Sequence, residues 1–159
     1  GISPDVSTAY RVEIGVPSRK LLNVGDLLFV RSSVKREGVA WPSFFAGHDE
    51  PVAFCGFIIR CRLHEEMASR FMPEFLVEYL RQPSIRMAAV ASAGTVAITN
   101  VSQARLGQLQ IPTVPVSKQS DFAACRSDIS MHRCRSERQI LALDTLFASL
   151  QQRAFRGEL

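Results

Sequence analysis

Apolar and polar positions follow two rhythms along this chain, strand-like before about residue 65 and helical after it. The opening stretch, to about residue 20, mixes polar residues with Pro4, Gly15 and Pro17 and holds only short apolar runs. From Leu21 the sequence reads Leu-Leu-Asn-Val-Gly-Asp-Leu-Leu-Phe-Val-Arg. Here Gly25-Asp26 signals a turn, and the continuous apolar run after it predicts a buried strand. That strand gives way to a polar, basic loop from Arg31 to Gly38. A second strand is expected within Val52 to Leu63, which ends in the alternating Arg60 and Arg62. Phe44, Phe45 and Gly47 are expected in the crossing between the two strands.

Helical spacing begins at Pro73, a residue that a first helical turn accepts, and it places Phe75, Leu76, Tyr79 and Leu80 on one face. Pro83 interrupts the chain and starts a short helix from Ser84 to Ala93, stopped by Gly94. A strand-like Val96-Ala97-Ile98 follows. Either Asn100 or Ser102 can cap a helix reaching about Leu109, and Ile111 to Pro115 forms an extended connector. Between Val116 and Arg156 there is no glycine or proline, so one helix is predicted from near Lys118 to about Arg153. At ~1.5 Å per residue it extends roughly 50 Å, beyond the reach of a compact domain. Phe122, Ile129, Ile140, Leu143, Phe147, Leu150 and Ala154 recur along it at heptad-like spacing, interrupted by Arg126, Arg133 and Ser136. A rod with such a stripe needs a second helix. The expected fold is therefore α+β: a globular domain over residues 1–115 and a long C-terminal coiled-coil helix over 116–159.

A hydrophobic share of 47% against 21% charged residues suffices for a buried core, so disorder is not expected. No apolar run reaches the ~20 residues that span a bilayer, and Gly1 to Asp5 lacks a charged leader with an apolar core. The reading is a cytoplasmic protein with no membrane partner. The net charge of +4 permits nucleic-acid binding without demanding it. Of the four cysteines, Cys55 and Cys61 are expected as small buried hydrophobes. Together with His64 they fit no common zinc spacing, so no metal and no cofactor is expected.

Catalytic signatures are missing. No acidic residue stands two places before a lysine, as a metal-dependent nuclease would require. There is no Gly-x-Gly-x-x-Gly loop, Pro-Pro-Tyr/Phe motif, phosphate-binding loop or Gly-x-Ser-x-Gly elbow. His48, His64 and His132 lie far apart without a motif, and Asp49-Glu50 and Glu65-Glu66 read as solvated pairs. No enzyme activity is expected.

Four fragments, in order, carry a family resemblance. Gly25-Asp26-Leu27-Leu28-Phe29-Val30-Arg31 resembles a signature of the specificity subunits of type I restriction-modification enzymes, and Phe71 to Leu80 resembles their short helix. Gly94-Thr95, then Asn100-Val101-Ser102, Leu106, Leu109 and Ile111-Pro112, with Gln119 after the prolines, resembles their domain-closing segment. Leu146 to Leu159 resembles the end of such a subunit. The resemblance implies a target recognition domain, truncated at its start, joined to a spacer helix that pairs antiparallel with another. It also implies double-stranded DNA as ligand, with methyltransferase subunits and a restriction and translocase subunit as partners. A second copy of the chain is a further candidate, through the long helix. Two other readings stay open: an assembly module that binds no DNA, and the recognition tail of a fused restriction-methylation enzyme.

A duplex reader needs cations for phosphates and donors and acceptors for base edges. The loop after the first strand offers Arg31, Ser32, Ser33, Lys35 and Arg36, and Arg19 with Lys20 adds a second basic point. Thr95 and Asn100 can present polar groups, although Asn100 can equally cap a helix, and Gln103 and Arg105 open the helix that follows. Trp41 reads as a core or loop anchor. The arginines at 126, 133, 135 and 138 read first as a solvated helix face. Phe122, Ile129, Ile140, Leu143, Phe147 and Leu150 are the expected pairing positions.

Overall fold

The apolar run after Gly25-Asp26 forms strand β1 (Leu27–Val30) in a computed structural model of the chain. The structure describes residues 3–7, 9–13, 15–90 and 99–158, with Thr99 described through its backbone alone. Strand β2 (Ser32–Ser33) follows at once, then β3 (Pro42–Phe44), β4 (Ile58–Cys61) and, much later, β5 (Thr99–Asn100). β1 is the middle of a three-stranded antiparallel sheet ordered β3-β1-β4, in which Leu27 stands opposite both Phe44 and Cys61. A central strand is covered on both faces, which is why its sequence is a continuous apolar run rather than an alternation. Gly25 enters it at φ 87°, a left-handed conformation that glycine adopts without steric cost, and its N–H donates to the Phe45 carbonyl at 2.8 Å.

Several expectations need correction. Phe44 does not lie in the crossing, because Pro42 to Phe44 return as a strand beside β1, while Phe45 and Gly47 follow in the connection to β4. Pro42 is tolerated there because β3 is an edge strand, where a missing N–H breaks no second ladder. The second strand is shorter than Val52–Leu63. Only Ile58 to Cys61 pair with β1, and Gly56-Phe57 form a turn just before them. Cys55 and Cys61 are exposed rather than buried, one on a loop and the other at the end of an edge strand.

The helices are α1 (Glu65–Ala68), α2 (Pro73–Arg81), α3 (Pro83–Val90), α4 (Gln103–Leu106) and α5 (Val116–Phe155). Pro73 opens α2 as predicted, but its fully buried residues are Leu76, Val77 and Leu80. Phe75 and Tyr79 are only partly covered, the latter reaching the Gln110 carbonyl through its hydroxyl at 3.1 Å. Leu76, Val77 and Leu80, with Tyr79 against them, pack with Leu27, Phe29, Phe44 and Ile59 of the sheet and Ala89 and Val90 of α3 into one core. Each large apolar side chain so buried contributes ~1.5–3 kcal/mol. The described part of α3 ends at Val90, so its expected continuation to Ala93, the stop at Gly94 and the strand Val96-Ala97-Ile98 lie outside the described residues. Ser102, not Asn100, caps α4, accepting from the Arg105 N–H at 3.2 Å. Gly107 ends that helix short of Leu109.

The chain divides into two compact units, residues 1–119 and 120–159. The first turn of α5 belongs to the globular unit because Gln119 is fully buried there. Its amide accepts from the Met72 N–H at 2.8 Å and donates to the carbonyls of Arg70 and Val114 at 2.8 and 2.7 Å. One side chain thus ties the approach to α2, the proline connector and the start of α5 together. The second unit is the rest of α5, along which Ile129, Ile140, Leu143 and Phe147 are each at least 58% exposed. Among the described residues no helix is long and apolar enough to cross a membrane.

Replacing Gln119 by Ala strips partners from three part-buried backbone groups, each hydrogen bond worth ~1 kcal/mol net, for an expected loss of about 3 kcal/mol. Urea unfolding should show a lower midpoint at unchanged slope, and a midpoint like that of the parent would refute the clamp.

Candidate nucleic-acid interface

Where β1 leaves the sheet, its backbone becomes the floor of a surface groove. The Arg31 N–H donates to the Phe57 carbonyl at 2.7 Å, and the Arg31 carbonyl accepts from the Val101 N–H at 2.9 Å. β2 then pairs antiparallel with β5, Ser32 opposite Asn100 and Ser33 opposite Thr99. This small ladder brings together residues about 70 positions apart in the chain. An open groove of about 520 Å³ results, in which Arg31, Asn100, Ser102, Arg105 and Gln108 line one concavity. The lining is rich in donors and amide groups, the chemistry that recognises phosphates and base edges.

The predicted residues take different parts in it. Arg31 is exposed, as are Lys35 and Arg36 just beyond β2. Ser33 is committed to local geometry, since its Oγ accepts from the Lys35 N–H at 3.1 Å. A Cβ on Gly38 would lie 2.6 Å from that Oγ, so a side chain there would turn the Ser33 hydroxyl away from its present place. Arg105 is half-buried and partly engaged, with Nη2 donating to the Ala88 carbonyl at 3.2 Å and Nη1 to Gln108 Oε1 at 3.3 Å. Gln103 is exposed but not among the residues lining the groove. Thr95, expected with Asn100, lies outside the described residues.

Arg19 and Lys20 end a single 3-10 turn, Ser18–Lys20. Lys20 Nζ stands 4.9 Å from the Phe54 ring centre, and the Arg60 guanidinium stands 5.2 Å from the same ring. Two cations therefore stand over one aromatic ring, an arrangement that attracts each by ~0.5–1 kcal/mol at an exposed site. Arg60 was legible only as an arginine at the end of a strand candidate. Its pairing with Lys20 requires the Leu21–Ala53 bridge, which no local pattern announces. Phe57, 68% exposed, lies between Phe54 and Arg60 in sequence, and its carbonyl holds the Arg31 backbone.

Beneath the basic residues sits one buried acid. Asp26 is 1% exposed and receives Arg62 through two bonds of 2.7 Å, to Oδ1 and Oδ2, and the Asn23 N–H at 2.8 Å. Burial pushes its pKa up. The Arg62 hydrogen bonds, the Asn23 N–H and the charges of Arg62 and Arg60 outweigh that and hold the carboxyl below its ordinary value.

The histidines stay apart. His48 Nδ1 accepts from the Glu50 N–H at 3.1 Å, His64 precedes α1 without a side-chain cap, and His132 is exposed on α5. Among the described residues no cluster of His, Cys, Asp and Glu could hold a metal ion. No family model matches the chain, and no curated protein matches it.

The Asp26 pKa has a checkable sign. Because it is lower in the folded state than the ~3.9 of an unfolded aspartate, its contribution is complete above about pH 5 and lost as pH falls below ~4. Asp26→Asn should cost about 2 kcal/mol near neutrality, at the low end for a buried pair because Arg62 is 42% exposed. Denaturation across acid pH should show that gap closing, and a gap constant to about pH 3 would contradict the assignment.

Proposed function

We propose that the chain is a non-catalytic reader of double-stranded DNA, the recognition half of a type I restriction-modification specificity subunit. The observation that carries this reading is the convergence of Arg31, Asn100 and Arg105 on one groove through the β2–β5 ladder, with Lys35 and Arg36 exposed beside it. Cations can follow phosphates while the Asn100 amide suits an adenine edge. The four ordered sequence fragments support that family. Methyltransferase subunits and the restriction and translocase subunit are the partners that the family implies.

Pairing of α5 belongs to the same proposal, with a second copy of the chain as occupant. Ile140, Leu143, Phe147 and Leu150 form the exposed stripe, while Arg126 and Arg133 lie on the same heptad line as Ile140 and Phe147. A parallel, in-register pair would set each of these arginines against its own copy, which like-charge repulsion disfavours. An antiparallel pair avoids that contact. Arg133 is also drawn along its own helix by Glu137 at 3.3 Å. The exposed stripe equally favours the second reading, an assembly module that binds no DNA.

Selection of duplexes from a randomised pool separates the two. The full chain should enrich a defined half-site, with affinity falling steeply between about 50 and about 200 mM salt. Arg31→Gln should weaken all duplexes about tenfold, and Asn100→Ala should relax preference at one position by ~1–3 kcal/mol. Failure to enrich any sequence, with both variants indistinguishable from the parent, would leave the assembly reading standing. For the rod, sedimentation equilibrium should find a dimer. The double variant Leu143→Lys, Phe147→Lys should be monomeric with the globular unit's unfolding unchanged. A parent chain that stays monomeric at high micromolar concentration would exclude self-pairing.

A further inference from the structure

The connection from β2 to β3 carries Lys35 and Arg36, yet little of its own holds it. One 3-10 turn spans Arg36–Gly38, with Gly38 N–H to the Lys35 carbonyl at 2.9 Å and Val39 N–H to the Arg36 carbonyl at 3.2 Å. The chain then passes through Ala40 at φ 55°, the one positive-φ residue other than glycine among those described. An alanine takes up that left-handed conformation only when its surroundings impose it. Ala40 is buried, and its N–H donates to the Val30 carbonyl at 2.8 Å.

Beside it stands a residue on which two arginines converge. Trp41, the only tryptophan, has the guanidinium of Arg81, from α2, 4.9 Å from its ring centre and that of Arg86, from α3, at 4.6 Å. Arg81 Nε donates to the Pro42 carbonyl at 3.2 Å. Arg86 Nη2 donates to the Glu37 carbonyl and, at 3.4 Å, to the Val39 carbonyl, while its Nε is buried without a partner among the described residues. Arg86 thus spends one terminal nitrogen on two carbonyls at the end of the basic turn and its charged plane on the indole that follows. A lysine in its place keeps a cation near the ring but not the planar guanidinium that stacks on it.

We propose that Arg86 is a positioning residue, setting where Lys35 and Arg36 stand through Trp41 and the Glu37 and Val39 carbonyls. Only the identity of what the loop touches rests on the duplex-reading proposal. The test uses the full chain with Arg86→Gln and Arg86→Lys, read by Trp41 emission, by amide hydrogen exchange at Gly38, Val39 and Ala40, and by duplex affinity. Arg86→Gln should red-shift the emission and speed those three amides about tenfold, with the β1 amides unchanged. In a double-mutant cycle, the cost of Lys35→Gln with Arg36→Gln should fall from about tenfold to under about twofold once Arg86 is Gln. Arg86→Lys should lie between, with exchange about threefold faster than the parent's, and it carries the comparison if Arg86→Gln fails to fold. Unchanged emission and exchange overturn the proposal, as does an equal cost of the loop variants in both backgrounds. A parent chain that binds no duplex sinks the DNA reading instead, and emission and exchange then decide the positioning role alone.

Discussion

The pairing of β1 on both edges is the constraint from which the rest of the globular unit follows. Leu27, Leu28 and Phe29 are each at most 6% exposed, so the strand can neither slide nor turn over without exposing core on one side. Its exit point is therefore fixed, and with it the place where Arg31 emerges. The Phe57 carbonyl and the Val101 N–H then hold the Arg31 backbone through its N–H and its carbonyl. The cations at that exit are thereby carried on rigid elements, and the holding begins in the core.

The positive charge is not spread evenly in its use. Arg62 serves the buried Asp26, Arg105 reaches a carbonyl at the end of α3, and Arg81 and Arg86 are spent on Trp41 and neighbouring carbonyls. These arginines build the shape. Arg31, Lys35 and Arg36 are the cations exposed around the groove, while Lys20 and Arg60 are stacked on Phe54. The mild net charge of +4 therefore says little about the interface, because several cations work inside the fold and a subset faces outward.

The remainder of α5 obeys a different rule. It has no core of its own, and its large apolar residues are exposed, those of the heptad seam among them. A helix of this kind gains most of its stability from what covers that seam, since isolated helices are marginal in water. Gln119 shows how the globular unit secures the helix start: a buried amide that satisfies three backbone groups cannot be pulled out cheaply.

Periodicity and turn chemistry determined much of this. The α+β class, the strand after Gly25-Asp26, Pro73 at the head of α2 and the long rod after Pro115 can all be read from local pattern, because each depends on neighbouring residues alone. The basic loop was legible for the same reason. Only the folded chain decided that Phe44 returns as a strand, that Cys61 is exposed, and that Ser102 rather than Asn100 caps α4. It also decided which cations are spent on Asp26, Trp41 and Phe54, and that Ser32 meets Asn100 across about 70 residues. Those outcomes depend on long-range pairing, whose partners are chosen by the burial of the whole core and leave no periodic mark on either segment.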